Sequence, residues 1–301
     1  MLGIALEGGG SKGAYHLGVI RAYQESGYHF DGAVGTSIGA INAALVAQGD
    51  VERAYHLWEN MTTQELFDIE DEQLRRFKEV KLDETTLIYL AGKIKTILAD
   101  RGIDTTKIRQ LLDTYIDEER LRRSPIDFGL VTVSLSDRKA LELYKEDIPQ
   151  GQMIDYIMAS ASFPGFKLQP IEGKYYLDGG FYDNCPISLL IKKGYTEIIA
   201  VRTLGEPLKR KYQPEGVHVI EILPAEPLGN TLIFDNNIIR NNLKMGYFDG
   251  LRVIRQLTGQ KYYLTDTWHK TAFAHLIAVP DSVILEIAQL LSLPDWEPKK
   301  L

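Results

Sequence analysis

Twice within its first 47 residues the chain runs from a short apolar strand through a glycine-bearing turn into a helix. The first pass is the strand Leu2 to Leu6, the turn Glu7-Gly8-Gly9-Gly10-Ser11-Lys12-Gly13 and a helix opening at Ala14-Tyr15-His16-Leu17. The second is Phe30-Asp31-Gly32-Ala33-Val34, the turn Gly35-Thr36-Ser37-Ile38-Gly39 and a helix of small and apolar residues from Ile38 to Ala47. Strand, turn and helix repeated in series build a mainly parallel sheet covered by helices, because parallel neighbours need a crossover between them. Later strands are expected at Ile126 to Ser134, Ala140 to Tyr144, Gly173 to Leu177, Glu197 to Arg202 and Val217 to Ile222. Residues 51–123 have a charged, helix-periodic texture, as in Thr106 to Ile116, and read as a helical insertion that either caps the site or packs as a plain layer on the sheet. Residues 228–301 are mostly helical in pattern, with breaks at Pro280 and Pro294. A chain of 301 residues with 45% hydrophobic composition can bury a large core, and a single domain spanning 1–301 is expected.

The second turn carries chemistry. A serine between strand and helix, flanked by glycines that remove colliding Cβ atoms, is exposed at the edge of a sheet and beside a helix N-terminus that favours developing negative charge. Ser37 is therefore the candidate nucleophile. In the first turn, Gly8, Gly9 and Gly10 leave backbone N–H groups bare and able to converge on an anion, which suits an oxyanion hole, with Lys12 and Gly13 in the same loop. The rival is a dinucleotide loop, since Gly8-x-Gly10-x-x-Gly13 fits that fingerprint; but the acid expected at the end of the second strand is replaced by Val34-Gly35-Thr36-Ser37. A Walker loop fails as well, because Lys12 precedes Gly13 and no Lys-Ser or Lys-Thr follows.

A base for Ser37 is harder to find. His29 lies before the strand leading to the elbow, at the opposite end of the sheet; His16 and His56 fall on helices; His218 reads as a buried core residue of an apolar strand; His269 and His275 lie in the C-terminal region. Asp178, in Asp178-Gly179-Gly180 at the end of a strand, is better placed, although a carboxylate in such a flexible turn equally caps a helix or steadies the turn. The net charge of −7 and pI near 5.5 argue against a nucleic-acid partner. The small basic clusters Lys209-Arg210-Lys211 and Arg120 with Arg122-Arg123 give only marginal membrane attraction. The single cysteine, Cys185, excludes an intramolecular disulfide and a Cys-based zinc cluster. No apolar run reaches the roughly 20 residues of a membrane span, and the N-terminus lacks a basic region and cleavage site. A cytoplasmic protein that meets lipid only at a surface is expected.

Four motifs taken together resemble the patatin-like phospholipases, a family of serine lipid acyl hydrolases: the loop Gly8-Gly9-Gly10-Ser11-Lys12-Gly13, the elbow Gly35-Thr36-Ser37-Ile38-Gly39, the segment Ala159-Ser160-Ala161-Ser162-Phe163-Pro164, and Asp178-Gly179-Gly180. They occur in the family's order between Glu7 and Pro186. Glu7 stands where Asp is common and Lys12 where many members have Arg; both keep the charge. The resemblance implies a three-layer α/β/α fold and a Ser37–Asp178 dyad working through an acyl-enzyme on a lipid or other acyl ester; no cofactor is expected, and no metal either, because there is no Cys-based cluster and no His-Glu-x-x-His pattern. It also implies that Ser160 and Pro164 shape the wall beside the dyad, with Asn184 and Pro186 as a turn and helix start. The other readings are a nucleotide-binding oxidoreductase and a catalytically idle regulatory protein of the same fold.

Overall fold

The computed structural model describes residues 1–67, 102–204 and 215–259, together with positions 280, 282, 283 and 286. Strand β1 (Leu2–Leu6) leads through a 3-10 turn (Gly10–Gly13) into α1 (Ala14–Glu25), and β2 (Gly32–Thr36) leads through Ser37 into α2 (Ile38–Ala47). Then come α3 (Val51–Asn60), α4 (Thr63–Leu66), α5 (Thr106–Tyr115), α6 (Glu118–Arg123), β3 (Asp127–Ser134), β4 (Lys139–Tyr144) and α7 (Met153–Ser160). Strand β5 (Tyr176–Asp178), α8 (Ile187–Lys193), β6 (Glu197–Val201), β7 (His218–Ile222) and α9 (Asn236–Ile254) follow. Among the described residues no helix is long and apolar enough to cross a membrane.

The strands lie in the order β4-β3-β2-β1-β6-β7, with β5 also on β3. The run from β3 to β7 is parallel, and β4 and β5 are antiparallel to β3. Alternate residues face opposite layers. Ile4, Leu6, Ala33, Leu130, Ile199 and Val201 point into the larger core with α1, α2, α3 and α9. Ala5, Val34, Val131, Ile198 and Ala200 pack against Ile187, Leu189 and Leu190 of α8. Burial on both faces is why these strands read as continuous apolar runs rather than alternating ones. The result is the three-layer α/β/α arrangement the two opening units imply.

One register decides where the site forms. Strand β2 occupies an edge of β3 as far as the pair Thr36 with Val131, and β5, running the other way, takes over that same edge at the next position, pairing Asp178 with Thr132. The residue after Thr36 and the last residue of β5 thus meet end to end on one ladder. Side chains fasten the junction: Thr132 Oγ1 donates to the Leu177 carbonyl at 2.9 Å, and Thr36 Oγ1 donates to the Asp183 carbonyl at 2.7 Å.

Several expectations shift. The second strand begins at Gly32 rather than Phe30, and the strand before Asp178 is Tyr176–Asp178 rather than Gly173 to Leu177. The turn after it is a 3-10 turn, Gly179–Phe181, capped by Asp178 Oδ1, which accepts from the Gly180 N–H at 2.8 Å, so it is not the flexible loop expected. His218 is corrected too: its ring is exposed and sits 2.9 Å from Glu197 on the neighbouring strand, because β7 is the last strand of the ordered path and its first residue faces solvent. Residues 68–101 of the helical segment, most of the C-terminal stretch, Lys209-Arg210-Lys211, His269 and His275 lie outside the described residues.

Candidate active site

Ser37 sits at φ 56° and ψ −127°, a backbone conformation that a non-glycine residue adopts only when its surroundings enforce it. The surroundings do so by steric closeness. A Cβ at Gly35 would fall 2.2 Å from the Gly39 carbonyl carbon, and one at Gly39 would fall 2.1 Å from the Leu6 carbonyl oxygen. Only bare backbone lets β1, β2 and α2 approach this closely. The strained residue is also braced: its N–H donates to Ser160 Oγ at 3.0 Å, and that hydroxyl donates to the Val131 carbonyl at 2.7 Å. Ser160, buried at the end of α7, therefore fixes the elbow to β3 rather than merely lining a wall. The sequence signal was only its place in the Ala-Ser-x-x-x-Pro segment.

Asp178 is 2% exposed, and its carboxyl lies beside the Ser37 side chain. Burial pushes its pKa up from 3.8 to about 6; the neighbouring Ser37 hydroxyl and the hydrogen bond from the Gly180 N–H favour the charged form and lose to desolvation. A carboxylate at that value is a far better proton acceptor near neutrality than one in water. Its own N–H donates to the Ser162 carbonyl at 3.0 Å, and a Cβ at Gly179 would strike the Val131 carbonyl oxygen at 2.1 Å, so the strand end is pinned on both sides.

No described histidine stands in for it. Burial lowers the pKa of His16 to about 3, leaving it neutral with Nδ1 3.2 Å from the Asn42 amide nitrogen. His56 is exposed with its ring nitrogens 3.3 Å and 3.0 Å from Glu52 and Glu59, and His29 is exposed ahead of β2.

The glycine loop lies beside the pair. A Cβ at Gly8 would stand 3.2 Å from the Ser37 Cβ and 2.3 Å from Asn184 Oδ1. The Gly8 N–H is already given to the Asn184 carbonyl at 2.9 Å, whereas among the described residues the N–H groups of Gly9, Gly10 and Ile38 have no acceptor. Sequence reasoning named Gly8 to Gly10 alike and missed both Ile38 and the part Asn184 plays. Lys12 is buried and lines the same space, and the Gly13 carbonyl accepts from Asn42 Nδ2 at 2.9 Å, tying the loop's far end to α2. At its root the buried Glu7 carboxylate pairs with Arg202 at 2.9 Å and accepts from the Thr203 and Leu204 N–H groups. One N–H of this turn is not available to a pyrophosphate. The Ser11 N–H goes to the Thr231 carbonyl at 2.8 Å, and that oxygen lies 2.0 Å from where a Gly10 Cβ would be.

Ser37, Asp178 and Gly8 to Gly10 open into one cavity of about 1290 Å³. Ile38 and Ile41 of α2, Trp58 of α3, Met158 of α7, Phe163, Phe166 and Phe234 form its apolar walls, with Phe163 and Phe166 rather than Pro164 beside Ser162, while Arg109, Asp155 and Lys167 add charged groups to the lining. Residues of α3, α4 and α5, in the 51–123 region, supply part of this lining. The volume exceeds the roughly 300–1,000 Å³ of pockets for drug-sized ligands.

Comparison with known proteins places these features. The family model described as patatin-like phospholipase matches residues 4–191. The chain is 29% identical over 203 residues to a lysophospholipase NTE1 of Pyricularia oryzae, covering 66% of this chain and 12% of that protein. It is 27% identical over 203 residues to the neuropathy target esterase sws of Drosophila melanogaster, covering 66% of this chain and 13% of that one. The chain thus spans about an eighth of the length of these relatives. In structure it is similar to VipD from Legionella pneumophila, with a TM-score of 0.52 and 17% identity over 84% of this chain and 66% of that one, a likeness of fold.

Proposed function

The chain belongs to the patatin-like phospholipase family, and on that premise we propose that it is a serine hydrolase of lipid acyl esters working through a Ser37–Asp178 dyad. The observation that carries the reading is a strained elbow serine set beside a buried carboxyl whose pKa is raised to about 6, at the head of a large cavity.

In the first half-reaction Ser37 Oγ attacks the ester carbonyl while Asp178 takes the hydroxyl proton, and the carbonyl electrons move onto oxygen. The N–H groups of Gly9, Gly10 and Ile38 are the donors available for that oxyanion, and the N-terminal end of α2 adds its dipole. Collapse expels the alcohol, which leaves with the proton held by Asp178, and an acyl-Ser37 remains. Water then repeats the sequence: Asp178 accepts its proton, hydroxide adds to the acyl carbon, and Ser37 departs carrying the proton back. The apolar walls hold the acyl chain and keep bulk water from the carboxylate, which is what keeps its pKa raised. Lysophospholipid or phospholipid esters are the substrate class this reading favours, in keeping with the names of the similar proteins. The Ser11 N–H, already given to the Thr231 carbonyl, is the observation against the dinucleotide-binding alternative.

The test is labelling by a fluorophosphonate alongside turnover of an acyl-ester panel. Wild type should label at Ser37 alone, and Ser37→Ala should lose both labelling and several orders of magnitude in turnover. Hydrolysis that persists undiminished in the alanine variant sinks the proposal.

A further inference from the structure

The cavity has a built end. On α2, Ile38, Ile41 and Leu45 follow one another at helical spacing and all face it; on α5, Ile108, Leu111, Leu112 and Tyr115 form a second such stripe. The space between the two helices begins at Ser37 and reaches Leu45, eight residues on, or about 12 Å of helix rise. There it is shut. Leu45 and Leu112 are 1% and 3% exposed. Behind them the buried Gln48 carboxamide donates to the Tyr115 carbonyl at 2.6 Å and to Asp50 Oδ2 at 2.7 Å, and accepts from the Asp117 N–H at 3.0 Å. The Arg53 guanidinium, 4.4 Å above the centre of the Tyr115 ring, donates to the Thr114 carbonyl at 3.1 Å and holds the last turn of α5 in place from outside. A side chain with three hydrogen bonds across a helix junction does not yield to an alkyl chain, because displacing it strands buried polar groups.

We propose that this closed end, with Leu45 as its floor and Gln48 as its bolt, sets acyl-chain length by accepting a medium-length chain from the acyl-Ser37 and rejecting a long one. An extended alkyl chain with bonds near 1.5 Å and near-tetrahedral angles advances about 1.25 Å per carbon, so about 12 Å holds about ten carbons. A hexadecanoyl chain has to fold back toward the mouth. The inference rests on the acyl-enzyme reading above and adds the acyl class to it.

The measurement is kcat/KM for p-nitrophenyl butanoate, octanoate, decanoate and hexadecanoate with wild type, Leu45→Trp and Leu45→Ala. Each preparation is normalised by fluorophosphonate titration, so that only folded, reactive protein counts. Wild type should favour octanoate and decanoate over hexadecanoate. Each methylene kept in apolar contact is worth roughly fourfold, so a Trp that excludes two or three of them should lower the decanoate-to-butanoate ratio about 15- to 60-fold. Leu45→Ala should instead raise the hexadecanoate-to-decanoate ratio. Should Leu45→Trp yield no reactive protein, Leu112→Phe narrows the same end from α5 and should move the ratio in the same direction. Wild-type labelling and hydrolysis with rates indifferent to chain length, or ratios that no variant shifts, overturn the ruler and leave the dyad standing. Absence of labelling and of all ester hydrolysis in wild type overturns the parent reading, and the ruler falls with it.

Discussion

Replacing Asp178 by Asn should make the protein more stable at neutral pH while removing its chemistry. In the folded chain the carboxyl titrates at about 6, against 3.8 ordinarily, with burial as the dominant cause. The folded state therefore holds its proton where the unfolded chain has released it, and stability falls as pH rises from about 4 to about 6. Above that window the whole penalty is present. At 1.36 kcal/mol per pH unit, it comes to about 3 kcal/mol. Asparagine carries no charge to desolvate, and its Oδ1 can still accept from the Gly180 N–H, so the variant escapes the penalty. Urea titrations of wild type and Asp178→Asn at a series of pH values read this directly: a gap of about 3 kcal/mol in favour of the variant at pH 8 should close as pH falls below 4. The same carboxyl must be ionised to accept the serine proton, so kcat/KM of wild type should climb through pH 6 and then level off, and the variant should retain almost no acylation. A variant less stable than wild type at pH 8, a gap independent of pH, or retained activity would each refute the assignment of a desolvated base.

Two further outcomes are expected. Gly9→Ala puts a Cβ 2.6 Å from Thr203 Oγ1 and must move the loop, so turnover should drop roughly 100- to 1,000-fold with the circular dichroism spectrum unchanged; full turnover would remove Gly9 from the oxyanion site. Ser160→Ala strands the Ser37 N–H and the Val131 carbonyl and should lower unfolding free energy by about 1–3 kcal/mol together with kcat; a denaturation midpoint equal to wild type would show that the elbow needs no brace.

The glycines made most of the site legible. Gly35, Gly39 and Gly179 stand where backbone meets backbone, and such meetings leave a mark in sequence because no other residue fits. Strands β1, β2, β3 and β6 were readable for a related reason, since burial on both faces demands unbroken apolar runs. The pairing of β5 with β3 left no such mark, as it joins residues some 45 positions apart through backbone groups every residue has. The backbone contacts of Ser160 and Asn184 left no mark, because a serine at a helix end and an asparagine in a bend are ordinary, and only the fold shows which backbone groups they hold. The stripe Ile108, Leu111, Leu112, Tyr115 was readable as a helix face, but periodicity cannot distinguish a face that packs on a core from one that lines a void. His218 was not legible as exposed, because an apolar strand does not show whether its first residue faces the core or solvent.

The end-to-end meeting of β2 and β5 on β3 separates the precision of the Ser37–Asp178 pair from the length of chain between them. Their spacing is set by adjacent rungs, Val131 and Thr132, of a single strand. Whatever is exchanged in α4 and α5, which cover part of the cavity and carry neither the pair nor its braces, the two residues return to the same rungs so long as β3 keeps its register. For an engineer this makes the covering helices an exchangeable cassette. Substrate range can be rebuilt there by swapping whole segments, with no need to redesign the pair beneath, whereas a one-residue slip in β5 would turn the carboxylate to the opposite face of the sheet.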